Sequence, residues 1–311
     1  MSREYVYLIA GILLGMLPFC GYFAYKKIGI FDIRPDRIVI YKEVDGVKLS
    51  LHVFDAKTKK DASTHPALLL FHGGAWQFGS PQSFYQQCDY FLRLGLTCIS
   101  VQYRIESLHG TNPAAAVQDA RMALRYLYQQ ARALNIDPSK IAVGGGSSGG
   151  HLAATLGVPI PLPDDNSDAS VMPRPKALIL YNPMLDLSPC HPDHYLVADF
   201  WRDVSPMQSI DGHIPPTLIL LGTEDREVPV PTAKKFCDSM TIFGGRCELA
   251  LYEGAKHGFF NYEINNGRFF HATNQRVAEF LRQMGFISNE TGSLDKFKKA
   301  PSPSGRRLGR G

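Results

Sequence analysis

A serine held between glycines at a strand-to-helix turn is the part of this chain best suited to covalent chemistry. Ile141-Ala142-Val143 reads as a short apolar strand. Gly144-Gly145-Gly146-Ser147-Ser148-Gly149-Gly150 reads as a glycine-packed turn, and His151-Leu152-Ala153 as the start of a helix. The turn contains G-x-S-x-G centred on Ser147. Glycines two before and two after a serine permit a tight bend where side chains would clash, and the bend lifts the hydroxyl clear of the sheet. The N–H groups that open the following helix then point toward whatever the serine attacks.

A serine hydroxyl is a weak nucleophile until a base takes its proton. The base candidate is His257 in Glu253-Gly254-Ala255-Lys256-His257-Gly258-Phe259-Phe260. It follows a strand end and has a glycine beside it, so it can stand clear in a loop. The acid that orients such a histidine is expected in Leu221-Gly222-Thr223-Glu224-Asp225-Arg226-Glu227-Val228-Pro229. Glu224 and Asp225 compete there, and motif position favours Asp225. The chain order Ser147, Asp225, His257 is that of an α/β-hydrolase triad. An acyl-transfer site also needs convergent backbone N–H donors for the oxyanion. Ser148, directly after the nucleophile, supplies one, and the glycine loop His72-Gly73-Gly74-Ala75-Trp76 lets backbone approach a substrate. His72 itself reads as a hydrogen bonder within its loop.

Competing chemistries have weaker support. Gly144, Gly146 and Gly149 also fit G-x-G-x-x-G, the dinucleotide fingerprint. The match comes after several strands, and no acidic residue ends a following strand at the required distance. No phosphate loop of the form G-x-x-x-x-G-K-[ST] occurs. Cys190-His191-Pro192-Asp193-His194 offers metal-ligand types without a known ligand spacing and reads as a solvated loop. No cofactor and no metal is expected.

The elements that must position these groups follow from periodicity. Arg37 to Val44 and Val47 to Phe54 read as strands joined by Asp45-Gly46, a strong hairpin signal. Ala67 to Phe71, Leu96 to Tyr103, Ala177 to Tyr181, Thr217 to Leu221 and Glu248 to Tyr252 complete the strands with Ile141 to Val143. Helices are predicted over Ser83 to Leu94, Pro113 to Leu134, from Ser147 to near Gly157, Pro231 to Phe243 and His271 to Met284. In Pro113 to Leu134, Val117, Ala120, Leu124, Leu127 and Tyr128 recur at spacings of three and four and form one apolar stripe. Alternating strands and helices predict an α/β fold: a mostly parallel sheet of about eight strands with helices on both faces. Met184 to Ile214 breaks the alternation and reads as a small cap carrying Tyr195, Phe200 and Trp201.

The formal net charge is +4. Residues 288 to 311 carry six basic and two acidic side chains and so hold the whole excess. The remainder is neutral, which argues against a nucleic-acid-binding face. This polar tail reads as disordered. None of the six cysteines form a C-x-x-C pair, and Cys98 reads as a buried small hydrophobe. Tyr5 to Tyr25 has no charged residue and is closed by Lys26-Lys27. Its length matches the roughly 20 residues of a bilayer-spanning helix. Residues 1–27 are therefore expected to anchor the chain in a membrane by a single N-terminal helix, on a side that the sequence leaves open. A cleaved signal, with a secreted or periplasmic product, is the alternative. Residues 28–287 form the expected catalytic domain.

The motifs together resemble the α/β-hydrolase serine esterases of the hormone-sensitive-lipase-like and bacterial acetyl-esterase-like group. Gly145-Gly146-Ser147-Ser148-Gly149-Gly150 is similar to that group's G-D-S-A-G-G elbow, with Gly146 and Ser148 departing from it. His72-Gly73-Gly74-Ala75-Trp76 is similar to its H-G-G-G-[FW], with alanine at the third glycine. The resemblance covers residues 38 to 287. It implies a carboxylic ester hydrolase with Ser147, Asp225 and His257 catalytic and with Gly74, Ala75 and Ser148 donating to the oxyanion. The implied partner is a small-molecule ester, such as a short-chain acetyl or aryl ester or an acetylated carbohydrate. A peptidase or amidase of the same fold (prolyl-oligopeptidase-like or arylformamidase-like) is the alternative, and an inactive membrane-tethered binding protein is the non-enzymatic one. Neither a propeller domain nor an ammonium-binding Glu-Glu pair is visible.

Overall fold

The computed structural model describes residues 33–56, 64–163 and 172–288. The expected disordered tail lies outside the described residues apart from Ser288, and so does the expected anchor segment, Tyr5 to Tyr25. From Pro35 onward the described residues belong to one compact body. The membrane anchor is not upheld. No helix among the described residues is long and apolar enough to cross a membrane.

Eight strands form one sheet in the order β1-β2-β4-β3-β5-β6-β7-β8. They are β1 (Arg37–Val44), β2 (Val47–Phe54), β3 (His65–Phe71), β4 (Thr97–Val101), β5 (Ile136–Gly146), β6 (Ala177–Tyr181), β7 (Thr217–Gly222) and β8 (Cys247–Tyr252). β2 runs antiparallel to β1 and β4, and the remaining pairings are parallel. Asp45 and Gly46 both have positive φ, 51° and 76°. That conformation matches the twist of the two strands they join. The central strands β3, β4, β6 and β7 have nearly every residue buried, which is why they read as unbroken apolar runs.

The longer helices are α1 (Tyr85–Leu92), α2 (Pro113–Gln129), α3 (Ser148–Thr155), α4 (Val230–Ile242) and α5 (Arg268–Gln283). The Asn112 side chain accepts the Ala115 N–H at the start of α2, and Pro113 occupies its first turn. Val117, Ala120, Leu124 and Leu127 are buried along its inner face. α2 ends at Gln129, short of the expected Leu134. The chain there turns through Asn135, at φ 54°, so that Ile136 can pair with His65. β5 is correspondingly longer than expected at both ends. Gly144 to Gly146 are paired strand residues, opposite Leu70, Phe71 and the β6 run Ile179 to Tyr181.

Met184 to Ile214 contains only short turns of helix, at Pro192–Leu196, Trp201–Val204 and Pro206–Ser209. This is the small cap. His151 of α3 ties it down, with Nε2 2.7 Å from the Val204 carbonyl. A disulfide that the sequence did not announce joins Cys237 of α4 to Cys247 of β8.

Under the antiparallel end lies a buried ion cluster. Asp119 of α2 meets Lys42 Nζ at 2.8 Å and Arg104 Nη2 at 2.8 Å, and its Oδ2 accepts the Arg104 backbone N–H. The neighbouring Tyr103 donates its hydroxyl to the His72 carbonyl at 2.7 Å and stacks on the His72 ring. The cluster thereby secures the loop that leaves β3.

Candidate active site

Parallel strands deliver their carboxyl ends to one edge, so the loops after β3, β5, β6, β7 and β8 converge there. Ser147 sits directly after β5 with φ 55° and ψ −122°. A side chain at positive φ costs of order 1–3 kcal/mol and persists only where the surroundings hold it. Here the Ser147 N–H donates to the Tyr181 carbonyl at 2.9 Å, and the Ser147 carbonyl accepts the His151 N–H at 3.0 Å. Gly149 makes the bend possible. A Cβ there would stand 2.0 Å from the Phe71 carbonyl oxygen.

Ser147, His257 and Asp225 form one hydrogen-bonded chain. His257 Nδ1 lies 2.8 Å from Asp225 Oδ2, and Nε2 lies 2.9 Å from Ser147 Oγ. An ionised carboxylate only accepts, so the Nδ1 proton faces Asp225 and Nε2 presents its lone pair to the serine hydroxyl. Asp225 is locked in place: its side chain is fully buried, and Oδ1 accepts the N–H groups of Glu227 and Val228 at 2.9 Å each. Glu224, the competing carboxylate, is exposed.

Gly74 and Ala75 line the same cleft as Ser147, at φ 126° and 52°. The Gly74 carbonyl is turned away to accept the N–H groups of Gln77 and Phe78. Neither the Gly74 nor the Ala75 N–H donates to a backbone acceptor among the described residues. Ser148 is fully buried beneath the cleft, at the first position of α3, where helix geometry leaves the N–H without an intrahelical partner. His72 is enclosed, its Nδ1 is 2.9 Å from the Gly73 carbonyl, and burial pushes its pKa down to about 4. In the cap, His191 accepts the Asp193 N–H and His194 Nδ1 lies 2.8 Å from the Leu187 carbonyl. No group of three or more possible metal ligands occurs among the described residues.

The cleft measures about 510 Å³. Phe84, Met184 and Phe260 give it apolar walls. Gly146, which departs from the G-D-S-A-G-G pattern, faces Phe260: a Cβ there would come within 2.4 Å of the ring tip. The aromatic ring fills the space that a larger residue at Gly146 would need.

Two residues of this site carry no motif. Asn182, one position past β6, is buried, accepts the Gly258 N–H on Oδ1 and places Nδ2 3.3 Å from His257 Nε2. Glu227 has a carboxylate oxygen 3.2 Å from the same nitrogen. Asn182-Pro183 at the carboxyl end of a strand was the one available sign for the first. For the second, a charged turn beside Asp225 was the only hint.

This geometry has counterparts among known proteins. Residues 52–170 match the BD-FAE family and residues 197–285 the Dienelactone hydrolase family. Esterase 2 of Thermogutta terrifontis, solved with propionate bound, is 35% identical, with a TM-score of 0.78 over 84% of this chain and 98% of that one. The chain belongs to the α/β-hydrolase esterases of the hormone-sensitive-lipase-like group. This α/β-hydrolase is also 27% identical to Esterase LipC of Mycobacterium tuberculosis, over 75% of its own length and 62% of that protein's. It is 26% identical to an acetylxylan esterase of Xylanibacter ruminicola, over 60% of its own length and 39% of that protein's. The chain thus spans less than two thirds of the length of these two relatives. The Thermogutta enzyme has also been solved with butyrate bound, at the same 35% identity and TM-score of 0.78, over 83% of this chain and 98% of that one.

Proposed function

We propose that this chain is a serine hydrolase that cleaves short-chain carboxylic esters through an acyl-enzyme, with residues 28–287 as its catalytic domain. The reading rests on the hydrogen-bonded chain Ser147–His257–Asp225 lying across the floor of an apolar cleft. His257 Nε2 takes the hydroxyl proton as Ser147 Oγ attacks the ester carbonyl carbon. Asp225 holds the imidazole in the required tautomer and stabilises its cation. The N–H groups of Gly74, Ala75 and Ser148 receive the oxyanion. His257 then gives its proton to the departing alcohol oxygen. Water, deprotonated by the same nitrogen, attacks the acyl carbonyl and frees the acid.

Walls made by Phe84, Met184 and Phe260 favour a short acyl group, in keeping with the propionate and butyrate seen in the Thermogutta enzyme. Labelling with a fluorophosphonate tests the reading. One equivalent of label on Ser147, abolished in Ser147→Ala together with hydrolysis of p-nitrophenyl acetate, is the expected result. Full labelling and turnover in that variant would refute it, and no labelling of the unaltered chain would favour a binding protein. Parallel assays on N-formyl amides and proline peptides separate an amidase of the same fold.

A further inference from the structure

Glu227 brings a carboxylate to the nitrogen that already receives the Ser147 hydroxyl and the Asn182 amide. Its carboxylate oxygen is 3.2 Å from His257 Nε2. In the tautomer that Asp225 imposes, that nitrogen offers a lone pair, so an acceptor faces an acceptor. Such a contact is favourable only when a donor stands between the two or when Nε2 carries a proton. The second condition is met during turnover, after Nε2 has taken the serine proton. The first is met by a donor that reaches both atoms from the cleft, water in the empty site and a substrate hydroxyl in the occupied one.

The position says which ligand. Nε2 is the atom that must protonate the departing alcohol oxygen, so that oxygen lies beside it. A hydroxyl on the adjacent carbon of the alcohol is then in reach of Glu227. The carboxylate is 59% exposed, which leaves it accessible from the cleft. Apart from His257, Glu227 is the only ionisable side chain among the described residues that line the cleft. Phe84, Phe260 and Met184, which also line the cleft, offer no such acceptor.

We propose that Glu227 selects the alcohol half of the substrate by accepting a hydrogen bond from a hydroxyl next to the ester oxygen. The favoured substrates are monoesters of vicinal diols, that is, short-chain acyl groups on a polyol or sugar ring with a free neighbouring hydroxyl. This assignment rests on the ester-hydrolase reading above. No step is added to that reaction: the carboxylate keeps its charge, and the substrate hydroxyl keeps its proton.

The decisive pair of substrates is 2-hydroxyethyl acetate and 2-methoxyethyl acetate, which differ in the donor alone. The expected kcat/KM ratio in the unaltered protein is about tenfold in favour of the hydroxyl, the size of one charge-assisted hydrogen bond at a partly exposed site. Glu227→Ala brings the ratio close to one, and Glu227→Asp restores part of it. The ratio cancels any general loss of activity or folded protein. A ratio near one in the unaltered protein, or one that persists in Glu227→Ala, overturns the proposal. So does a preference for acetylcholine over both esters that disappears in Glu227→Gln, because that would make the carboxylate a cation site. Binding of the two esters to Ser147→Ala, followed by ligand-observed NMR, reads the same preference without turnover. A hydroxyl preference there that Glu227→Ala removes, in a chain whose unaltered form cleaves neither ester, would uphold the recognition and refute the hydrolase reading alone.

Discussion

The side-chain amide of Asn182 places Nδ2 3.3 Å from Nε2 of His257. Its other end accepts the Gly258 N–H at 3.3 Å, and this fixes which end of the amide faces the histidine. One residue leaving β6 thus braces the histidine loop that follows β8.

Asn182→Ala removes both contacts and leaves the Gly258 N–H without its partner. On the proposed mechanism the expected result is a fall in kcat of about tenfold, because a base displaced from its nucleophile loses much of its proton-transfer advantage. Steady-state kinetics on p-nitrophenyl acetate measure it. An unaltered kcat would mean that the loop is held without Asn182.

Asp119→Ala strips the buried carboxylate from Lys42 and Arg104, which both contact it directly. Removing one partner of a buried ion pair costs about 3–5 kcal/mol, since the remaining charge is left in a low-dielectric surrounding. Urea unfolding should register a loss of that size. Activity should fall as well, because Arg104 adjoins Tyr103, whose hydroxyl secures the loop bearing Gly74 and Ala75. A loss below about 1 kcal/mol, typical of a surface pair, would contradict the account.

Burial lowers the pKa of His72 and of His151 to about 4. Unfolded histidine titrates near 6.5, so between these values the unfolded chain binds protons that the folded chain refuses. Stability is therefore fully present above about pH 6.5 and falls as the pH drops toward 4, by roughly 3 kcal/mol for each histidine. Urea midpoints taken across this window should decline steeply. His72→Asn should flatten the decline by one proton's share. An identical slope in that variant would show that His72 is not the group responsible.

The Cys237–Cys247 disulfide closes a short loop between α4 and the edge strand β8. Reduction should cost about 2–3 kcal/mol, as expected for a cross-link of this span. Cys237→Ser should match the effect of dithiothreitol, and dithiothreitol should then do nothing further. Thermal melts with and without reductant decide the point.

Much of the architecture was legible because the signals are local. Asp45-Gly46 marks a hairpin through the φ its residues must adopt, and Ala67 to Phe71 marks a doubly covered strand by having no polar face. The glycines around Ser147 misled in one respect. Gly144 to Gly146 read as turn, yet they are strand, because close packing and not conformational freedom requires glycine there: Gly144 lies against Ile179 and Leu70, Gly145 against Gly149 and Phe71, and Gly146 against Phe260. Ser147, Asp225 and His257 could be singled out because each follows an apolar run that ends on the same sheet edge. Asn182 could not. Its contact with His257 spans 75 residues and uses a side chain common in any turn. The pairing of Cys237 with Cys247 depends on how a helix end meets a strand start, which no spacing rule encodes.

The residues of the cleft are scattered along the chain in a way that bears on its synthesis. Ser147 and His257 are 110 positions apart, with β6, β7 and β8 between them. A ribosome-bound fragment can carry Ser147 with neither Asp225 nor His257 made. On the proposed reading such a fragment attacks nothing, and so does a truncated product that lacks β8. On that same reading hydrolysis needs β8 in place on β7, because His257 lies in the loop that follows β8. A chromogenic ester would then count finished molecules and ignore every unfinished one.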